Sequence, residues 1–423
     1  MSEWVTDQLG ALVDFQKGRK VETSPFQLSG YESYLGAGSL AGGHDGYASI
    51  FLSVQANKND VLMLWDGERS GLVGHNLSGV VSSTVSRLSS NGKITSSLLY
   101  YYLLLNFEWI QNRRTGTGVP HVPKDLARML KLKYPVEKNY QNKIVLILET
   151  LDQAIEKTEA LIHKYQQIKA GLMHDLFTRG LTADGKLRPP REQAPELYQE
   201  TPIGWIPKEW DYEPISPLME SLVDGPFGSN LKTEHYVIDT AGVRVVRLQN
   251  IQAINYNDTD KAYVSERHAN YLMRNKVVSG DILIAGLGED RYPVGRACQY
   301  PHDLPPAINK ADCFRLRCKA EEADHYFVML YLNTPSARAQ VRRYEQGVTR
   351  PRINLSNMKK IVLPKPLLKE QKAISKRLLN AVLRIEQELL VKDKFKKQKL
   401  GLMHDLLTGK VPVTIDQAET AHV

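Results

Sequence analysis

The chain has 423 residues, of which 42% are hydrophobic, and it carries a formal net charge of +8. This length suffices for two or three globular domains that each bury a core, and the positive charge favours a polyanionic partner. No apolar run approaches the roughly 20 residues that span a bilayer, and the start of the chain lacks the pattern of a signal peptide. Its three cysteines fit a reducing compartment better than a disulfide framework, so the sequence predicts a cytoplasmic protein.

The first globular segment is predicted to run from residue 1 to 138 and to be rich in short strands. Apolar residues alternate at 47–54 and 61–64, which predicts strands, and helical spacing predicts a small helix around 97–111. The stretch 36–41 reads Gly-Ala-Gly-Ser-Leu-Ala and superficially matches a dinucleotide-binding fingerprint. No strand–turn–helix context surrounds this stretch, so we interpret it as a flexible loop.

A long spacer helix followed by a linker strap is predicted for the second region, residues 139–206. Apolar residues recur along the helix at alternating steps of four and three, which is the seam pattern of a coiled coil. The seam members are Leu148, Leu151, Ile155, Ile162, Leu172 and Leu176. Prolines and glycines crowd the end of this region, and they predict a semi-extended strap between two folded units.

The second globular segment is predicted at 207–367, and a second spacer helix with a tail is predicted at 368–423. Within the globular segment, strands are expected at 243–248 and 282–284, and a small helix is expected around 324–331. The seam members of the second helix are Leu378, Ile385, Leu402 and Leu406.

The two halves of the chain repeat each other. The hexapeptide Gly-Leu-Met-His-Asp-Leu begins at Gly171 and again at Gly401, near the end of each predicted helix, and Trp4 matches Trp210 near the start of each half. We therefore interpret the chain as two copies of one module, a β-rich domain followed by a helix. A homodimeric coiled coil is the ordinary alternative. A helix pair within one chain needs no second copy, however, and charged seam residues such as Lys169 weaken a homodimer.

If the polyanionic partner that the charge favours is DNA, its candidate contacts are side chains on predicted loops, because phosphates attract cations and base edges pair with forked donors and acceptors. The densest cluster is Arg350-Pro351-Arg352, and Arg113 and Arg114 lie in the corresponding loop of the first half. The other loop candidates are Lys17, Arg19, Lys20, Arg69, Lys232, Arg291 and Arg296.

Polar residues also end a predicted strand of the second segment. Arg247, Gln249 and Asn250 follow this strand and are expected to reach a groove of DNA. Strand alternation places Arg244 on the other face from Arg247, so these two arginines are not expected to act together.

Several short strings occur in the order that a known family shows. They are His174-Asp175-Leu176-Phe177-Thr178, Gly185-Lys186-Leu187-Arg188-Pro189, Ile203-Gly204-Trp205-Ile206-Pro207, Gly225-Pro226-Phe227-Gly228-Ser229 and Leu363-Pro364-Lys365-Pro366-Leu367. With these strings set in a two-fold repeat, the chain resembles the specificity subunit of type I restriction-modification systems over its whole length. The first half departs from the family pattern at 133–137, where Lys-Tyr-Pro-Val-Glu replaces a Pro-Leu-Pro-Pro-like string.

The resemblance implies an α+β fold, in which two β-rich target recognition domains are joined by two long antiparallel coiled-coil helices in a pseudo-two-fold duplicated arrangement. Each domain would read double-stranded DNA. Because the two domains differ in sequence, we expect a bipartite, asymmetric target with an unspecified gap. A helix from Ile144 to Leu176 is roughly 50 Å long, or about one and a half turns of duplex.

The resemblance also implies two methyltransferase subunits that bring S-adenosylmethionine and, more loosely, two restriction subunits that use ATP and magnesium. No methylation motif is visible, so the chain is expected to be non-catalytic and to bind no metal or cofactor of its own. Apolar residues outside the seams, such as Ile168, Leu383 and Leu390, are the expected partner contacts. Two alternatives stay open: the specificity chain of a methyltransferase-only system, and a free-standing DNA-binding regulator or coiled-coil scaffold.

Overall fold

The computed structural model describes residues 3–238 and 242–415, and the chain divides into two compact units. Unit 1 comprises Met1–Leu161 and Glu388–Val423, and unit 2 comprises Ile162–Gln387. Each unit therefore contains one globular domain and segments of both long helices. Within the described ranges, no helix combines the length and the apolar character that a membrane span requires.

The domain of unit 1 is built on a four-stranded and a five-stranded sheet. The four-stranded sheet has the order Val13–Lys17, Val85–Ser90, Asp60–Leu64 and Val73–His75. The five-stranded sheet has the order Thr23–Ser24, Tyr47–Ser49, Tyr31–Leu35, Gly79–Val81 and Gln55–Ala56. Strand Asp60–Leu64 is buried throughout, because Val61 and Met63 face one apolar cluster while Leu62 and Leu64 face another.

The remaining elements of this domain close it at both ends. Trp4–Gln8 pairs with Lys131–Pro135 in a two-stranded antiparallel sheet, which brings the start and the end of the domain together. The short helices are Ala37–Leu40, Ser96–Leu105, Phe107–Gln111 and Leu126–Met129, with a 3-10 turn at Leu9–Ala11.

The domain of unit 2 repeats this plan. Its four-stranded sheet has the order Met219–Val223, Cys313–Cys318, Ile282–Ala285 and Ala297–Gln299. Its five-stranded sheet has the order Tyr236–Val237, Tyr263–Val264, Val243–Val246, Ala307–Asn309 and Lys276–Val277. The third and fourth strands of each five-stranded sheet run parallel, which shows that the two domains share one topology.

Unit 2 also has two-stranded sheets and short helices. The sheets pair Asp211–Pro214 with Val362–Lys365 and Tyr198–Thr201 with Gly204–Pro207. The α-helices are Ile215–Leu218, Glu266–Tyr271, His325–Leu332, Pro335–Tyr344 and Leu355–Met358. The 3-10 turns are Pro195–Leu197, Gly228–Asn230, Thr233–His235, Leu248–Asn250 and Met273–Asn275.

The two spacer helices are Lys138–Thr178 and Leu368–Leu407. In unit 1 their segments run antiparallel, because Asp152 lies 2.5 Å from Lys399 and Glu159 lies 3.3 Å from Lys396. The predicted seam residues that are buried are Leu148, Ile162, Leu176, Leu378, Ile385 and Leu406. Those that are half-buried are Leu151, Ile155, Leu172 and Leu402. The predicted α+β fold with two β-rich domains and two long helices is confirmed.

A buried glutamine near the start of each spacer helix ties that helix to its domain. Gln141 accepts a hydrogen bond of 2.8 Å from the backbone N–H of Thr95 and donates to two backbone carbonyls. Gln371 accepts one of 2.9 Å from the backbone N–H of Asp324 and also donates to two backbone carbonyls. Thr95 and Asp324 in turn cap the next helix, so the two units share one hydrogen-bonding device.

The linker strap is more folded than its composition predicts. It contains the hairpin of Tyr198–Thr201 with Gly204–Pro207, and it belongs to unit 2 rather than lying between two units. The Arg188 guanidinium is 2.6 Å from a Glu370 carboxylate oxygen, and both side chains are largely buried. Trp210 Nε1 donates to the same carboxylate at 3.1 Å, so this acid fastens the strap to the second spacer helix.

Two local predictions in unit 1 also differ from the structure. The stretch 36–41 is an ordered helical turn, because the Asp45 carboxylate accepts hydrogen bonds from the backbone N–H groups of Gly36, Gly38 and Ser39. The strand predicted at 47–54 ends at Ser49, after which the chain turns with Leu52 at φ 54°. Apolar alternation alone did not reveal that this turn is exposed.

Candidate nucleic-acid interface

In unit 1, two loops meet beside the end of the first strand of the four-stranded sheet. We call residues 66–70 and 112–121 the loop pair of unit 1. His121 forms isolated β-bridges with Thr115 in its own loop and with Asp66 in the other. The Asp66 carboxylate lies 2.7 Å from both Lys17 Nζ and His121 Nδ1. Burial alone would raise the pKa of Asp66, but the hydrogen bonds from Lys17 and His121 outweigh burial and lower it.

The same meeting of loops occurs in unit 2. We call residues 287–293 and 346–352 the loop pair of unit 2. Arg352 forms isolated β-bridges with Gln346 and Leu287, and its guanidinium is 2.7 Å from the Asp312 carboxylate. Asp224 accepts a hydrogen bond of 2.9 Å from the backbone N–H of Asp312. Burial raises the pKa of Asp224 to about 6, and the neighbouring charge of Asp312 adds to the rise.

In each unit, a glycine also allows two backbone segments beside the four-stranded sheet to approach closely. A Cβ at Gly18 would lie 2.1 Å from the Ser82 carbonyl oxygen, and a Cβ at Gly225 would lie 2.0 Å from the Lys310 carbonyl carbon. Both glycines follow the first strand of their four-stranded sheet. Only glycine permits this approach of two backbones. The close approach therefore occurs at equivalent positions in both units.

The predicted cationic residues of unit 1 divide into tethered and exposed ones. Arg114 donates to the backbone carbonyls of Gln111 and Glu68, which ties the two loops together. The Arg113 guanidinium lies 4.1 Å from the ring centroid of Trp109. Arg19, Lys20 and Arg69 are exposed.

In unit 2, Arg350 and Arg291 are exposed, and the Arg291 guanidinium lies 5.3 Å from the ring centroid of Tyr292. Lys232 Nζ is 3.6 Å from Glu234 and remains half exposed. Arg291 and Arg350 belong to the loop pair of unit 2, so the structure brings these two candidates together. Lys232 belongs to neither loop.

Two predicted DNA contacts lie in the interior instead. Asn250 is fully buried, and its amide donates to the backbone carbonyls of Asn257 and Asp260. Arg296 is 5% exposed. Its guanidinium donates to the backbone carbonyls of Leu248, Ile251, Leu287, Tyr292 and Pro293. Both side chains are committed to the protein, which corrects the expectation that they contact DNA.

Arg244 and Arg247 converge on one acidic segment. Arg244 is 2.6 Å from the Asp258 carboxylate and also donates to the backbone carbonyl of Asp260, whose carboxylate pairs with Arg247. They reach the same segment although strand alternation predicted opposite faces, because the strand ends at Val246 and the alternation does not extend to Arg247. Arg247 is thereby neutralised within the protein.

The comparisons with known proteins agree with this duplicated framework. The family model described as type I restriction modification DNA specificity domain matches residues 1–166 and 249–392. The chain belongs to this family. The resemblance drawn from its ordered strings is confirmed, and the chain is a specificity subunit of a type I restriction-modification system.

This specificity subunit is 28% identical over 421 residues to the type I restriction enzyme MjaVIII specificity subunit of Methanocaldococcus jannaschii, covering 97% of this chain and 93% of that protein. Its fold is similar to the S subunit of M. genitalium, with a TM-score of 0.60, 15% identity, and coverage of 98% and 97%. A chain from a structural study of the assembly and conformational transition of the type I system gives a TM-score of 0.55, 14% identity, and coverage of 96% and 98%.

Residues that sequence reasoning missed line a cleft of about 440 Å³ in unit 2. Gln252, Asn257 and Glu289 lie there beside Gln249 and Arg350. No local pattern marks these residues, because the cleft is assembled from three segments that are far apart in the sequence. All three cysteines are free, and among the described residues no group of His, Cys, Asp and Glu is arranged to hold a metal ion.

Proposed function

We propose that this specificity subunit reads a bipartite, asymmetric DNA site, with one loop pair directed at each half-site and an unspecified gap between the halves. The observation that carries the proposal is one loop framework built twice with different side chains. Lys17, Asp66 and His121 meet in unit 1, whereas Asp312 and Arg352 meet in unit 2. A shared framework supports the same mode of DNA approach, and different side chains support different target bases.

The spacer helices set the length of the gap in this proposal. They comprise 41 and 40 residues, and each is about 60 Å long at about 1.5 Å per residue. The start of each helix, rather than its middle, is joined to a domain through a buried glutamine. Changing the length of these helices should therefore change the gap and leave the bases of each half-site unaltered.

Specificity subunits of type I systems bind DNA and assemble with methylase and restriction subunits. We propose that two methyltransferase subunits dock on the spacer helices, where Ile168, Leu383 and Leu390 are exposed by 47%, 53% and 71%. A contiguous apolar patch on a helix is typical of a protein interaction site, and these side chains would contribute to one. Two restriction subunits would join the same complex.

The chemistry would reside in these partners, with S-adenosylmethionine in the methyltransferase and ATP with magnesium in the restriction subunit. The specificity subunit itself would be non-catalytic. Its ionisable side chains at the loop pairs support this assignment, because Asp66 is held between Lys17 and His121 and Asp312 holds Arg352. They pair with one another rather than forming a nucleophile beside a free base.

Methylation sequencing of host DNA tests the proposal. The specificity subunit is co-expressed with its companion methyltransferase, and methyltransferase alone is the control. A modified motif split by a fixed gap, present only with the subunit, is expected. Modification that does not depend on the subunit would contradict the proposal. Tight, specific binding by the purified chain alone would then favour a free-standing regulator.

A further inference from the structure

The cleft of unit 2 is held open by its own backbone. It lies between the segment 248–257 and the loop pair of unit 2. Arg296 braces the floor, since its Nε donates to the Ile251 carbonyl at 2.7 Å and its Nη1 donates to the Tyr292 carbonyl at 2.8 Å. Gly288 lets the two ends of the turn 288–294 lie close together, because a Cβ there would lie 2.5 Å from the Val294 nitrogen. The walls are therefore in place before a ligand arrives, which reduces the entropy lost on binding.

The polar side chains around the cleft are either tethered or free. Gln252 and Asn257 both donate to the backbone carbonyl of Gln249, at 3.0 and 3.2 Å, so their amides are partly committed. Gln249, Glu289 and Arg350 are exposed. Within the part of the chain that the structure describes, none of these three side chains has a hydrogen bond or ion pair. An amide, a carboxylate and a guanidinium therefore stand at one opening without a hydrogen-bonding partner among the described residues, and the charge of Glu289 acts on Arg296 of the same cleft.

This combination fits the edges of bases better than phosphate groups. Phosphate contacts require cations, and the carboxylate of Glu289 would repel a phosphate. Base edges suit all three groups, since a guanidinium pairs with guanine, an amide pairs with adenine, and a carboxylate accepts from the amino group of cytosine. In unit 1 the corresponding segment, 36–45, instead consists mainly of small residues whose backbone N–H groups are held by Asp45.

We propose that this cleft is the base-reading site of unit 2, and that Gln249, Glu289 and Arg350 are its specificity-determining residues. The inference rests on the proposed function and adds the side chains that select the bases of one half-site. It also assigns the two arginines of the Arg350–Arg352 loop different tasks. Arg350 reads bases, and Arg352 is held by Asp312 and fixes the loop.

The test compares the modified motif directed by single variants, each co-expressed with the companion methyltransferase. Gln249→Ala and Arg350→Ala should each relax discrimination about tenfold at a position in one half of the motif, because one good contact discriminates by about that factor or more. Gln249→Glu should change the preferred base at its position from adenine to cytosine. A folding defect cannot produce such a change. The matched controls are Gln166→Ala and Arg343→Ala, which alter exposed residues outside the cleft and should preserve the motif.

The outcomes separate this inference from the proposed function. If the unaltered subunit directs no motif, the proposed function fails. If it directs a split motif and the cleft variants direct the same one, or alter both halves, the inference is overturned and the proposed function stands. A variant that abolishes modification is examined by selecting DNA fragments bound by the assembled complex. A relaxed half-site supports the inference, and the parental motif refutes it.

Discussion

The loop pairs of the two units lie beside equivalent strands, but different ion pairs hold them in place. In unit 1 the acid is Asp66 on a loop, and its cation is Lys17 at the end of a strand. In unit 2 the arrangement is reversed, with the cation Arg352 on a loop and the acid Asp312 beside the sheet. The close backbone approach at Gly18 and Gly225 recurs because it requires glycine. The acid and the cation, by contrast, have exchanged places between loop and sheet.

This difference indicates which parts of the duplicated module are fixed. Close backbone approach and the buried glutamines recur in both units, since a change there would leave a clash or an unpaired buried group. The segment after the third strand of the five-stranded sheet does not recur. It is a glycine-rich turn in unit 1 and a wall of the cleft in unit 2. If the proposed cleft reads bases, target specificity can change there without altering the fold.

The largest effect is expected at a contact that unit 1 lacks. Glu370 pairs with buried Arg188 in unit 2, and Tyr140 stands at the corresponding place on the first spacer helix. Glu370→Ala would leave the Arg188 guanidinium without its buried carboxylate, which should reduce the free energy of unfolding by about 3–5 kcal/mol. Hydrogen exchange followed by mass spectrometry should show faster exchange in the strap, with unit 1 unchanged.

The matched control for this variant is Glu209→Ala. Glu209 also pairs with Arg188, at 2.7 Å, but its side chain is 75% exposed. Removing a solvent-screened carboxylate should cost less than about 1 kcal/mol. Equal effects of the two substitutions would show that the strap is not fastened by the buried pair.

The buried glutamines should contribute equally to the stability of the two units. Gln141→Met and Gln371→Met should each destabilise by about 2 kcal/mol, because each leaves buried backbone groups without hydrogen-bonding partners. Urea denaturation of the full chain measures the cost, and Gln166→Met, an exposed change on the first spacer helix, is the control. Costs that differ by more than about 1 kcal/mol would show that these glutamines are not equivalent.

These contacts also show where prediction from the sequence stops. The spacer helices could be predicted because a seam is a local periodic pattern, and the repeat could be predicted because identical strings recur. The closed strap could not, because its fastening joins Arg188 to Glu370 of the second spacer helix, far along the chain. Arg296 and Asn250 resemble surface residues in the sequence, and only the tertiary fold surrounds them with backbone carbonyls.

The stabilities of the two units should respond to pH in opposite directions. The pKa of Asp224 in unit 2 is raised to about 6, so the stability it contributes is fully present below about pH 4 and is lost as the pH rises through about 6. The pKa of Asp66 in unit 1 is lowered, so its contribution is present above its ordinary value of 3.8 and is lost as the pH falls through the lowered value.

The free energy of unfolding of unit 2 should therefore fall by about 1–2 kcal/mol between about pH 4 and pH 7, after allowance for solvent screening. Asp224→Asn should abolish this fall. Asp66→Asn should act in the opposite direction and weaken unit 1 at neutral pH. Urea midpoints measured across this pH range, with hydrogen exchange to assign each unit, check both signs. An unchanged pH profile in Asp224→Asn would refute the role of this carboxyl group.

The smallest effect is expected at a phosphate contact in unit 1. Arg69 is exposed on the loop pair of unit 1. We expect it to bind phosphate, so Arg69→Ala should weaken binding several-fold for every sequence and reduce the slope of log affinity against log salt by about 0.9. Fluorescence anisotropy of the assembled complex on a duplex with its target measures that slope, and Arg343→Ala is the control. A relaxed base in the motif of Arg69→Ala would instead show that unit 1 also reads bases through an arginine, and the contrast with Arg350 would then be lost.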